Sequence, residues 1–297
     1  MATVTLLLQT LILGLLAGGV YALMSSGFTL VFGVMKVINL AHGAMIVLAA
    51  FLTWWVWDRT GLDPLLVGIF LSPVMGAIGW LLYKTVIARV QRADWELTLV
   101  ASFGVAVAAG GVMALVWGAE GHAATPSYFT TSFELGPLVV PQAQLYACVG
   151  AVAMLAALHA LLRGTFLGRA IRASAANRDS AALVGITVER TMAAMFAIGA
   201  ATTGFAGAAL SVLYQFVPDS HYRWIGLILC VVILGGLGSF LGAGLGAGIL
   251  GVSEALTSSY VDARWATAVP YVLIIVVLLV RPQGLLGGRV RADGVPA

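Results

Sequence analysis

The chain has 297 residues, of which 61% are hydrophobic and only 9% charged, with a mean hydropathy of +1.03 and a formal net charge of +3. A soluble domain carries about 25% charged residues, so this composition excludes one, and so small a positive excess is no nucleic-acid footprint. Cys148 and Cys230 both lie in apolar runs without CxxC or metal-ligand spacing, which leaves them as small core residues.

Unbroken apolar runs such as Tyr271–Val280 exclude the alternating pattern of a transmembrane β-barrel. Backbone polar groups in a bilayer must be paired within the span, so the spans are helices. The expected fold class is all-α: a polytopic helical membrane protein with about eight membrane segments, up to ten, forming a single transmembrane domain over 1–297. In chain order, Thr5 to Met24 lacks a basic leader and outruns a secretory apolar core, so 6–24 reads as a retained first span. Region 26–56 follows, too long for one span and too interrupted for two. Spans are then expected at 65–83 and 95–117. A proline-containing irregular cap follows from Gly118 to Gln142, and a further span at 143–162. A basic loop at 163–190 precedes a span at 191–214. A second interrupted region covers 224–257, and 266–280 is the last span.

Charge orients these spans. Lys84, Arg89 and Arg92, then five arginines from Arg163 to Arg190, then Arg281, Arg289 and Arg291 fall on one set of alternate loops. The opposite loops hold Arg59, Arg223 and Arg264 against Asp58, Asp63, Glu120, Glu134, Asp219 and Asp262. By the positive-inside rule the first set is cytoplasmic, and with it the C-terminus. The first ten residues carry no charged side chain, so the side of the N-terminus stays open. Trp54, Trp55, Trp57 and Trp224 are expected at the outer interface, where indole rings collect.

Regions 26–56 and 224–257 share a design: an apolar half, a Gly-bounded break, and a half rich in small residues. Gly-interrupted segments at corresponding places in two halves point to a transporter's pathway. The translocation residues expected on this ground are Lys36, Asn39, His42 and Gly43 in the first region, and Gly235, Gly236, Gly238, Ser239 and Glu254 in the second. If 36–42 is helical, Lys36–Asn39 and Asn39–His42 are neighbours at i,i+3, while Lys36 and His42 stand about 120° apart. The competing reading has Lys36 snorkelling to the interface, Asn39 pairing broken backbone, and Glu254 interfacial. The glycines Gly14, Gly18, Gly242, Gly244, Gly246, Gly248 and Gly251 also form small-xxx-small patterns that need mean only close helix packing.

Within the basic loop, Asn177 or Asp179 can cap a short helix, and Gly185 can end it in a left-handed turn. Ala181, Leu183 and Val184 offer it an apolar face, and Arg172 and Arg178 charge. By composition alone, these arginines need do no more than set topology.

Three stretches carry a family resemblance: Gly27-Phe28-Thr29-Leu30-Val31-Phe32-Gly33-Val34-Met35-Lys36-Val37-Ile38-Asn39-Leu40-Ala41-His42-Gly43, Gly168-Arg169-Ala170-Ile171-Arg172-Ala173, and Val232-Ile233-Leu234-Gly235-Gly236-Leu237-Gly238-Ser239. Together with length and span count they resemble the permease subunits of bacterial ATP-binding-cassette importers for branched-chain amino acids, the shorter of the two permeases. The resemblance implies an ATPase-coupling segment carrying Arg169, Arg172, Asn177, Arg178, Asp179, Leu183 and Gly185. It implies two cytoplasmic ATPase subunits that bind ATP and magnesium, with no cofactor in this chain. It also implies a second permease in a heterodimer, an extracytoplasmic solute-binding protein, and a multi-pass place in the bacterial inner membrane. It departs from the pattern at Ser174, where such permeases often carry an acid before paired alanines; the acid here is Asp179.

No Walker A, HExxH or GxSxG motif is present, so the chain reads as a transport subunit and not an enzyme. The glycine-rich run Gly244–Gly248 lacks the preceding strand and the Lys-Ser/Thr of a phosphate loop. Related permeases carry urea, short amides or other amino acids, and a passive channel or an ion-coupled carrier would also suit so apolar a chain. A channel has no need of a structured cytoplasmic helix, and an ion-coupled carrier needs more intramembrane acids than Glu254.

Overall fold

The computed structural model describes residues 2–91 and 95–287; Arg92, Arg289 and Arg291 of the basic loops lie outside the described residues. The helices are α1 (Ala2–Met35), α2 (Ala41–Thr60), α3 (Pro64–Leu82) running through a π-helical turn (Tyr83–Ile87) into α4 (Ala88–Val90), and α5 (Trp95–Trp117). A hairpin of β1 (Ser132–Leu135) and β2 (Leu138–Pro141) leads to α6 (Gln142–Gly164), α7 (Phe166–Ala176), α8 (Arg178–Leu183) and α9 (Val188–Leu213). The chain continues through α10 (Ser220–Gly235), α11 (Phe240–Tyr260), α12 (Ala263–Ala266) and α13 (Val269–Val280). Among the described residues seven helices are long and apolar enough to cross a bilayer, namely α1, α2, α3 with its continuation, α5, α6, α9 and α11; α10 and α13 are shorter apolar helices. The chain is a polytopic helical membrane protein.

The first interruption falls at 36–40, inside the region 26–56 read as broken. α1 runs unbroken through Gly27 and Gly33 to Met35. Its buried hydroxyls are satisfied within the helix, since Ser25 Oγ donates to Tyr21 O (2.9 Å) and Thr29 Oγ1 to Ser25 O (2.8 Å). Gly27 serves packing: a Cβ on Gly199 would sit 2.9 Å from the Gly27 carbonyl, so α1 and α9 cross here backbone to backbone.

Helix α9 is the most enclosed span, packed against α3, α2 and α1. A Cβ on Gly207 would lie 2.5 Å from Ile46 O and 2.7 Å from Ala50 N of α2. Helices α1 and α11 run antiparallel along most of their length. A Cβ on Gly14 would meet Val252 Cα at 2.6 Å and one on Gly18 the Ala247 carbonyl at 2.9 Å, while Thr10 bonds Ser259 (3.2 Å). The glycines of α11 therefore divide. Gly242, Gly246 and Gly251 face neighbouring backbone, and Gly244 and Gly248 face open space.

The bundle has two distinct ends. At one, Val139 N donates to Gln9 Oε1 (2.9 Å) and Gln9 Nε2 to Val139 O, tying the start of α1 to the hairpin. At the other lie the end of α1, α7, α8 and the turn between α10 and α11. The N-terminus thus sits at the end opposite the basic segment, a matter its uncharged first residues left open. The loop before α6 is also more regular than its prolines suggest: Gly136, at φ +64°, turns the hairpin. Trp224 is a correction too. It is 2% exposed, its ring 5.0 Å from Tyr214 and 6.5 Å from Tyr21, so it belongs to the core and not to an interfacial belt.

Gly207→Ala is expected to destabilise the protein by about 1–3 kcal/mol, because the added methyl meets backbone that cannot yield. Gly244→Ala, facing open space, is expected to be neutral or to stabilise by up to about 1 kcal/mol. Thermal unfolding of the two variants in one detergent checks the contrast.

Candidate functional site

The first break spans 36–40. The chain leaves the helix at Lys36, which holds φ +58° and is exposed, and re-enters one at Ala41. The stretch is not helical, so the i,i+3 neighbours expected among Lys36, Asn39 and His42 do not form. A left-handed residue with a Cβ starts a reversal that the helical ladder cannot follow. Asn39 instead pairs the broken backbone: its Oδ1 accepts from Ala41 N (3.2 Å) and its carbonyl from His42 N (3.2 Å). Ser102 of α5 closes the other side, accepting from Leu40 N (3.1 Å) and donating to Leu99 O (2.9 Å). His42 is 1% exposed, with Nε2 3.0 Å from Met24 O. Met24 lies eleven residues before the end of α1, about 16 Å back along its axis. The chain thus doubles back beside α1 before α2 begins. Gly43, one residue on, lets α10 approach: a Cβ there would meet His221 O at 2.8 Å and Ile225 Cβ at 2.9 Å.

The second break spans 236–239. Gly236 (φ +102°) and Gly238 (φ +84°) take backbone conformations that side chains resist, and Ser239 Oγ caps α11 by accepting from Gly242 N (3.0 Å). The last carbonyls of α10 are paired from the C-terminal segment, where Leu285 N donates to Leu234 O (2.9 Å) and Leu286 N to Gly235 O (3.0 Å). Gly238 packs on Gly33 of α1; a Cβ on Gly238 would stand 3.1 Å from Gly33 Cα.

The basic segment folds as two helices. Thr165 Oγ1 caps α7 by accepting from Gly168 N (3.0 Å), and Asn177 Oδ1 caps α8 by accepting from Ser180 N (2.9 Å). Gly185 (φ +84°) ends α8 with two bonds, Gly185 N to Ala182 O (3.0 Å) and Ile186 N to Ala181 O (3.1 Å). Leu183 and Val184 are 88% and 75% exposed at the tip. Ala181, expected on the same apolar face, is buried, because it is the side by which α8 rests on the bundle. Arg169 lies over the Phe166 ring (5.8 Å), and Asp179, in the first turn of α8, is exposed.

Two arginines of this segment reach the breaks. Arg178 Nη2 donates to the carbonyl of Met35 (3.3 Å), the residue before the Lys36 reversal. Arg172 donates to Leu162 O and lines a cleft of about 420 Å³ with Gly33, Gly238 and Ser239.

Glu254 stands apart from this end. It is half-buried, and its Oε2 accepts from Tyr21 Oη (2.8 Å), which lies 3.1 Å from Tyr214 Oη. The structure thus sorts the expected pathway residues into two groups. Lys36, Gly235, Gly236, Gly238 and Ser239 gather where α1 ends, near Arg172 and Arg178. His42 and Glu254 attach midway along α1, at Met24 and Tyr21, about one helical turn apart, while Gly43 packs against α10 and Asn39 stays within the first break. Tyr21, Tyr214, Ser102 and Arg223 escape sequence reasoning, since a lone tyrosine, serine or outer-loop arginine in an apolar chain carries no motif.

Compared with known proteins, residues 10–278 match the family described as branched-chain amino acid transport system / permease component. The chain is 31% identical to the high-affinity branched-chain amino acid transport system permease protein LivH of Salmonella typhimurium, over 94% of this chain and 95% of that one. It is 28% identical to the permease protein BraD of Pseudomonas aeruginosa over the same shares. Similarity to the permease protein LivM of Escherichia coli is 31% over 40% of this chain and 28% of that one. No solved structure matches the chain.

Lys36→Gly is expected to stabilise the protein by about 1 kcal/mol, since it removes the left-handed penalty at the reversal. Lys36→Val, with a branched Cβ at the same φ, is expected to destabilise by at least as much. Thermal unfolding of the purified variants reads both signs.

Proposed function

Because the chain belongs to the branched-chain amino acid transport permease family, we propose that it is one of two permease subunits of an ATP-driven importer of branched-chain amino acids. The second permease is a LivM-like chain, and the pair sits in a bacterial inner membrane with the C-terminus cytoplasmic. Two cytoplasmic ATPase subunits bind ATP and magnesium, and a soluble binding protein delivers substrate to the opposite end. This chain contributes no catalytic group. Its work is to change which side of the membrane its pathway faces.

The observation that carries the coupling part of this reading is the bond from Arg178 to the Met35 carbonyl. In the proposed mechanism the exposed tip of α8, Leu183 and Val184, seats in a cleft of an ATPase subunit. Asn177, Asp179 and Gly185 keep α8 short and fixed at both ends, so that it moves as a rigid lever. When ATP draws the ATPases together, α8 shifts. Arg178 transmits the shift to the end of α1, where Lys36 is a ready hinge, and Arg172 acts beside the Gly236–Ser239 turn. Both breaks lie within reach of one segment, so a single displacement alters both.

The test is ATP-driven leucine uptake by proteoliposomes holding this chain, the second permease and the ATPases of the same genome, with the binding protein outside. Arg178→Glu is expected to lower binding-protein-stimulated ATP hydrolysis and uptake about 5- to 10-fold, a coupling loss of ordinary size. Gly185→Pro, which cannot hold φ +84° or donate to Ala182, is expected to do at least as much. Undiminished coupling in both variants, with the assembly intact, would overturn the lever.

A further inference from the structure

A second cleft, of about 260 Å³, opens beside α12 at the end of the bundle away from the basic segment, and the coupling scheme makes no use of it. Tyr21, Gln144, Tyr214, Arg223 and Glu254 line it, with Leu13 and Ala17 of α1 as an apolar wall. Its polar groups are held in place. Tyr21 Oη donates to Glu254 Oε2 (2.8 Å) and lies 3.1 Å from Tyr214 Oη, while the rings of both tyrosines pack on Trp224. Arg223, on the first turn of α10, is exposed, its guanidinium 5.5 Å from the centre of the Trp224 ring. Gln144 Oε1 is buried without a hydrogen-bond partner. A buried acceptor left so is costly and calls for a donor from outside the chain.

The inventory is specific. One carboxylate and one free amide oxygen accept from a cation; one guanidinium pairs a carboxylate; an aliphatic wall stands beside them. We infer that this cleft binds the zwitterion of an aliphatic α-amino acid. The ligand's ammonium group donates to Glu254 and Gln144 Oε1, its carboxylate accepts from Arg223, and its side chain lies against Leu13 and Ala17. The inference rests on the reading of the chain as an amino-acid permease and adds where, and by which charges, the substrate is held. It also gives Glu254 a role on α11: the bond from Tyr21 keeps its carboxylate fixed while the ligand comes and goes. Since Tyr21 lies one helical turn from Met24, an occupied cleft bears on the same part of α1 that meets His42.

The test is equilibrium binding to the purified permease pair without its binding protein, so that the permease's own selectivity is read. The probes are leucine, leucinamide, which lacks the carboxylate, and 4-methyl-2-oxopentanoate, which lacks the ammonium group. Glu254→Gln is expected to weaken leucine and leucinamide about tenfold and leave the oxo acid unchanged. Arg223→Gln is expected to weaken leucine and the oxo acid about tenfold and leave leucinamide unchanged, the size expected for one charge-assisted hydrogen bond. Unaltered leucine affinity in both variants, or an equal loss for all three probes, would overturn the inference. Failure of the wild-type assembly to drive leucine uptake would instead overturn the reading beneath it.

Discussion

Backbone that leaves a helix within a bilayer finds no water, so every freed N–H and C=O must be paired by the protein itself. The two breaks in this chain meet that demand by different means, and the arrangement of the molecule follows from how they do so. At 36–40 the partners come from three places: Asn39 within the break, Ser102 on α5, and Arg178 on α8. At 236–239 they come from Ser239 and from the backbone of Leu285 and Leu286. Each break is therefore tied to an element distant in sequence, and neither can change shape without moving its partners.

Helix α1 gathers these ties. Its first half lies along α11 through Gly14 and Gly18, where the backbones approach without side chains between them. Its middle holds Tyr21 and Met24, which meet Glu254 and His42. Its end carries Gly33 against Gly238 and the Met35 carbonyl under Arg178. One rigid element thus connects the basic segment, both breaks and the polar cleft at the far end. An α-helix suits this work because its internal hydrogen bonds resist bending, so a displacement at Met35 is felt along the axis. The left-handed Lys36 just beyond that end is the point where strain and freedom concentrate.

Much of the architecture was legible in the residues, and the reasons differ from place to place. The spans at 95–117 and 143–162 stand within two residues of α5 and α6, because an apolar run in lipid has no alternative to a helix. The cap, short helix and glycine stop of α8 could be read locally, since Asn177 and Gly185 act on backbone a few residues away. The first break was legible as a region but not to the residue. Gly33 reads as one bound of the break, yet α1 passes straight through it, while a lysine makes the reversal. A glycine that admits a neighbouring helix and a glycine that breaks its own are the same letter.

By itself, the amino-acid sequence determined what depends on composition and near neighbours: a helical membrane protein, basic residues on one set of loops, two interruptions, and a capped helix between spans. Tertiary structure decided which distant groups meet. Only folding brings Arg178 to Met35, Gly33 to Gly238, and Tyr21 to Glu254. It also separates the glycines of α11 into those facing backbone and those facing open space, and it sets Trp224 in the core. The physical reason is that hydropathy and capping act through solvent and through bonds a turn or two away. Pairings of partners more than 140 residues apart depend on how whole helices cross, and no periodicity in the chain records that.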